Sequence, residues 1–166
     1  MVKMNFADPV LETIIRRWKW TRNNTILLFQ KAEEKNILNY TSKTDKKVSY
    51  TFQPVIFQFQ CIVTTTDAYY RKLIKTENQN FGILFVDDKV VNKKDITTEL
   101  VKEQLEKQVC VLENFFKPFI YKDIKENIKA ILAISDHEYL HQGELLLMFR
   151  ETGIDLPERF KKAWHL

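Results

Sequence analysis

Residues 123–152 read DIKENIKAILAISDHEYLHQGELLLMFRET, and the spacing predicts one continuous helix of about eight turns. At about 100° per residue, Ala130, Ala133, Ile134, His137, His141, Leu145 and Met148 share one face. Glu144 shares it too. Apart from that carboxylate and the two imidazoles the face is apolar, with small residues, which marks it as the side turned toward other helices. Gly153 follows at the position expected for a left-handed C-cap.

Working outward, the other elements also read as helices. Asp8 and Pro9 form a start signal, because Asp accepts from the first free N–H groups and Pro at the first position has no N–H to lose. Val10, Leu11, Ile14, Ile15, Trp18, Thr25, Leu28 and Phe29 then recur at helical spacing, and the helix fades after Lys31 into a polar loop from Asn39 to Lys47. A second helix follows Pro54 and runs to about Leu73, with Val55, Phe59, Ile62, Thr66, Tyr69 and Leu73 as its stripe. The β-branched run Ile62 to Thr66 offers a strand locally, but the stripe outweighs it over five turns. Residues 75–95 carry no helical stripe, and Phe81 to Val91 suit a short hairpin around Asp87 and Asp88 or a packed crossover loop. Asp95 is expected to cap a third helix with the stripe Val101, Leu105, Val109, Leu112 and Phe116, ended by Pro118. After the long fourth helix, Ile154 to Pro157 turn the chain into a short helix from Glu158 to Trp164. The expected fold is all-α: a four-helix bundle with a long crossover between the second and third helices and a short C-terminal helix, residues 1–166 forming one domain.

Bulk composition agrees. A chain of 166 residues with 45% hydrophobic content can bury a core, and only three glycines leave little for the turns of β and α/β folds. The net charge of +4 is spread through mixed acids and bases without a basic run, so a nucleic-acid partner is not expected. There is no apolar signal core near Met1, and no run of about 18 apolar residues, so no membrane association is expected. Cys61 and Cys110 fall in apolar helical segments and read as buried, inert free thiols rather than a disulfide, which suits a cytoplasmic setting. Trp18, Trp20, Tyr69 and Tyr70 read as packing residues of the core or of a dimer.

Chemistry concentrates in His137-Glu138-Tyr139-Leu140-His141. Imidazoles at i and i+4 converge on one side of a helix and suit a metal ion. The alternative is a buried pair hydrogen-bonded to Tyr, Thr or carboxylate side chains. The five residues also match H-E-x-x-H, in which Glu138 would be the general base of a zinc protease. That reading is disfavoured: the longer pattern needs Gly and a third His where Glu144 and Leu147 stand, and the other zinc-protease pattern needs a Glu ligand on a separate downstream helix, where only Glu158 remains, after a chain stop. Glu138 is better read as a solvated or helix-pairing carboxylate. His165, next to the chain's last residue, reads as solvated.

Beyond that core, Asp136 to Leu145, then Phe149-Arg150-Glu151-Thr152-Gly153-Ile154 and Pro157, with the tail Leu156 to Trp164, resemble the last long helix and tail of the DinB/YfiT-like family. The resemblance is specific over residues 136–164 and matches the whole chain in length and helix order. It implies a four-helix bundle, commonly dimeric, with a divalent metal (zinc, nickel or iron) held by three histidines. Two of these match His137 and His141. The third belongs on the second helix, where this chain has no histidine: Ile62 stands at the expected position, with Gln60 or Gln58 a half or full turn away and Asp67 on an outward stripe. Amide oxygen is a weak ligand beside imidazole, and a catalytic zinc takes three protein ligands. The resemblance therefore implies a divalent-metal-dependent transferase of low-molecular-weight thiols, or a hydrolase, with an incomplete triad. The alternative is a non-catalytic, metal-free bundle that binds a small molecule or a partner.

Overall fold

The computed structural model describes residues 6–42, 53–75, 81–86 and 89–164, the side chains of 121–126 and 163 excepted. His165 and the turn residues Asp87 and Asp88 lie outside the described residues, as does most of the 39–47 loop. The chain is mostly helical: α1 is Pro9–Glu34, α2 Val55–Leu73, α3 Thr98–Phe116, α4 Tyr121–Thr152 and α5 Glu158–Trp164. A small antiparallel sheet, β1 (Ile83–Val86) and β2 (Lys89–Asn92), pairs Ile83 with Asn92 and Val86 with Lys89. Among the described residues the fold is thus mostly helical with a small two-stranded sheet, broadly consistent with the expected all-α class. Among the described residues no helix is long and apolar enough to cross a membrane.

Helix boundaries follow local chemistry. Asp8 caps α1, its Oδ1 accepting from the Val10 and Leu11 N–H groups at 2.7 and 3.2 Å. Gly153 ends α4 with φ 68°, in the left-handed region that releases the chain into the turn before α5. Asp95 does not cap α3. It closes a 3₁₀ turn, Lys93–Asp95, and the cap is Thr97, whose Oγ1 accepts from the Leu100 N–H at 3.2 Å. The extra turn carries the chain from β2 back onto α2.

Each of α1 and α2 packs against both α3 and α4. The apolar core falls into two clusters. One holds Leu28, Phe29, Phe59, Ile62, Leu105, Leu145 and Phe149, and the other holds Leu11, Ile15, Trp18, Leu112, Phe116, Ile131 and Ile134. In sequence α1 and α4 run from the second cluster to the first, and α2 and α3 run the opposite way. The second-to-third connection must therefore travel the length of the helices, and the hairpin β1–β2, packed on α2, occupies that crossing.

Between the clusters, at mid-length of all four long helices, lies a layer of buried polar side chains: Thr21, Arg22, Thr25, Thr66, Gln108, Glu138 and Gln142. Arg22 is fully buried. Its guanidinium donates to Glu138 Oε1 at 2.8 Å, Gln108 Oε1 at 3.0 Å and Thr66 Oγ1 at 2.8 Å. Thr25 donates to the same Glu138 oxygen at 2.6 Å, and Gln142 donates to the Thr21 carbonyl at 2.9 Å. One residue from each long helix thus meets at Arg22. Because a buried charge is tolerated only when paired and hydrogen-bonded, this layer pins the rotation of α4 against its neighbours. Trp18 is buried beside it, while Trp20 remains 40% exposed and packs on Trp164 of α5.

Candidate metal centre

The same middle level carries a second polar cluster, on the side of α4 that faces α2. His137 and His141 stand one turn apart, with ring centroids 4.4 Å apart and planes at 75°. Their Nε2 atoms approach to 3.2 Å. From α2, Gln58, Cys61 and Thr65 follow one another at three- and four-residue spacing, which puts all three on the stripe opposite the imidazoles. Cys61 Sγ lies 3.6 Å from His137 Nε2, and Thr65 Oγ1 lies 3.4 Å from the same nitrogen. The donor atoms of Cys61, His137 and His141 all lie within 4.8 Å of one another, so the group could hold a metal ion.

His141 is oriented from behind. Its Nδ1 sits 2.7 Å from Gln58 Oε1 and 2.7 Å from Glu144 Oε2. Both are acceptors, so Nδ1 carries a hydrogen and Nε2 is the atom turned toward His137 and Cys61. A carboxylate behind a histidine in this way fixes the ring and raises its basicity, as partners of metal-bound histidines do.

Electrostatics couple the group. Burial pushes the Cys61 thiol up, but hydrogen bonds from His137 and His141 and the charges of His141 and Lys93 outweigh it and hold the thiol at about 5. Burial likewise pushes His141 down, and the Cys61 and Glu144 contacts overcome it, raising the imidazole to about 9. Without a metal the pair is therefore thiolate and imidazolium at neutral pH.

The distances also fit a metal. With Zn–N near 2.05 Å, Zn–S near 2.3 Å and tetrahedral angles, ligand atoms should stand about 3.3 Å apart for N···N and about 3.6 Å for N···S. The observed separations are 3.2 and 3.6 Å. Three ligands of this kind leave one position open.

Several expectations change. Cys61 is not an inert buried thiol: it is half-buried in this cluster, and Cys110 is exposed. Ile62 is 1% exposed in the apolar core, so the residue that faces the histidines is the one before it. Gln60 turns away and donates to the Ile96 carbonyl at 2.9 Å. Gln58 supports His141 from behind. Asp67 pairs with Arg71 at 2.9 Å and accepts from the Phe85 N–H, tying β1 to α2. Glu138 is neither solvated nor free to act as a protease base; it is 1% exposed and committed to Arg22 and Thr25. Its neighbour on the chain, Tyr139, accepts from Thr21 Oγ1 at 2.8 Å. The signal for this site in the sequence is Cys61 itself, a good metal ligand one residue before Ile62. Compared with protein-family models, curated proteins and solved structures, the chain matches none.

Proposed function

We propose that this chain is a DinB-like four-helix bundle whose Cys61, His137 and His141 hold a zinc-like divalent ion for a transfer or hydrolysis reaction. A single observation carries the proposal: the ligand atoms of Cys61, His137 and His141 gather within 4.8 Å of one another, with His137 Nε2 at 3.2 Å from His141 Nε2 and 3.6 Å from Cys61 Sγ, two separations that a tetrahedral site requires. In this reading the triad is complete, with a thiolate from α2 in place of the third histidine. A sulfur and two nitrogens suit zinc and exclude magnesium or calcium, which take oxygen ligands.

When bound, the ion supplies Lewis acidity at the fourth position, as transfer and hydrolysis reactions require. The chain's own groups do the rest. Gln58 and Glu144 hold the His141 ring by its Nδ1–H. Thr65 Oγ1 stands beside His137 Nε2 as a hydroxyl able to orient a small molecule at the open side. The pinned layer around Arg22 keeps α4 from rotating, so the two rings stay aimed at α2.

Competition of a chromophoric chelator against the purified protein tests this. One zinc per chain is expected. Cys61→Ala should weaken binding by more than the roughly 10–100-fold that loss of an outer partner costs, with the far-ultraviolet circular dichroism unchanged. Absence of stoichiometric metal, or an affinity indifferent to Cys61→Ala, overturns the proposal. The second reading, a metal-free binding bundle, is favoured by the self-sufficient thiolate–imidazolium pair, and the same titration decides between the two.

A further inference from the structure

Lys93 stands at the rim of this cluster, outside the set of metal ligands. The 3₁₀ turn that carries it packs on α2. Its ammonium lies 3.4 Å from the centroid of the Phe57 ring, and Phe57 stands one helical turn before Cys61 on the same side of α2. Among the described residues no carboxylate comes within ion-pair distance of it. Burial depresses its pKa, and the charge of Cys61 opposes that. The lysine is thus partly desolvated, and the thiolate is the counter-charge it has.

Once a dication shares that thiolate, the balance changes. The ion, the Cys61 thiolate, the Lys93 ammonium and the Glu144 carboxylate together leave one net positive charge in a partly water-excluded space. Electrostatic attraction is strengthened where the local dielectric is low. A neutral molecule at the open position would leave that charge uncompensated, and a mono-anion would cancel it. Lysine suits this role because its compact ammonium, on a flexible stem, can follow an anion without imposing a fork geometry.

The geometry points to Lys93 as a specificity-determining residue that selects a small mono-anionic substrate, of the charge a carboxylate carries, for the open position of the Cys61–His137–His141 centre. This rests on the metal reading above. It adds to it the class of molecule and the residue that chooses it. The cation–π contact with Phe57 holds the ammonium at the rim when no anion is there, at a cost small enough for the side chain to leave.

The test uses the full chain loaded with cobalt(II), whose visible spectrum reports what enters the coordination sphere. Acetate serves as the carboxylate probe and imidazole as the neutral one, both titrated at constant ionic strength near pH 8, where free imidazole is mostly uncharged. Acetate should perturb the wild-type spectrum, and Lys93→Met should weaken its binding about tenfold, the loss expected for one nearby charge. Lys93→Arg should restore most of the affinity, and imidazole binding should be unchanged in both variants. Equal acetate affinity in the wild type and Lys93→Met, or no acetate response in the loaded wild type, overturns the role of Lys93 and leaves the metal centre standing. Failure of the wild type to take up cobalt with a thiolate charge-transfer band removes the centre itself, and the role with it.

Discussion

Replacing Glu138 by leucine should be among the most damaging single changes in this protein, although sequence reading places that residue on a solvated face. The structure sets the magnitude. Arg22 is fully buried, and Glu138 is its only anionic partner among the described residues. Removing the carboxylate leaves the guanidinium desolvated, with only Gln108, Thr66 and the Leu105 carbonyl to accept from it. Breaking a buried pair from one side costs about 3–5 kcal/mol. At about 2–4 °C per kcal/mol for a chain of this size, the midpoint should fall by roughly 6–20 °C. The double variant Arg22→Met/Glu138→Leu removes both charges and should recover at least about 2 kcal/mol, because an apolar pair needs no counter-charge. It does not recover everything, since Gln108 Oε1 loses its donor and an unmet buried acceptor costs about 1–3 kcal/mol. Urea unfolding followed by circular dichroism of the wild type, Arg22→Met, Glu138→Leu and the double variant closes the cycle. A loss below about 1 kcal/mol for Glu138→Leu, or a double variant equal to the sum of the singles, would show that the pair is not buried and coupled. The Arg22 layer would then not be what holds α4 in its rotation.

Two further predictions concern the cysteine and its neighbours. In metal-free Cys110→Ser protein, where Cys61 is the one remaining thiol, the rate of iodoacetamide alkylation should rise through pH about 5 and then level off; a rise centred near 8.5, the value of an unperturbed thiol, would refute the described pairing. Zinc affinity should depend on pH with a sign set by both groups: between about 5 and about 9 the thiol is already ionised while His141 still carries a proton that zinc must displace. Affinity should therefore fall about tenfold per unit as pH drops through that window and more steeply below it; a flat profile from pH 6 to 8, read by chelator competition, would contradict the raised pKa of His141.

Much of the helical layout is legible in the sequence, because its signals are local. Asp8 before Pro9, Pro118 after the third stripe and Gly153 after the fourth each act on backbone groups within a few residues of themselves. The reading slipped by two residues at α3, where Asp95 and Thr97 are both competent caps and only the course of the chain off β2 picks one. The convergence of His137 and His141 is equally local, since helical spacing alone puts them on one side.

The third member of the cluster is not local, and there the reading went to the wrong residue. The apolar stripe of α2 marks Ile62 as inward, and it is inward, but toward the hydrophobic core. The histidines meet α2 about 100° around the helix, on the stripe of Gln58, Cys61 and Thr65. Which stripe faces α4 depends on how α2 is rotated in the assembled fold, and no periodicity within α2 can tell that.

The sequence by itself determined which segments are helices, where most of them stop, and that two imidazoles share one helix face, because those are matters of neighbours along the chain. Tertiary structure alone decided that Glu138 is buried against Arg22, 116 positions away, and that Cys61 reaches His137 across 76. Pairings over such separations are made by packing, which settles the rotation of each helix against the others, and a charge or a thiol acquires its role only once that rotation is set.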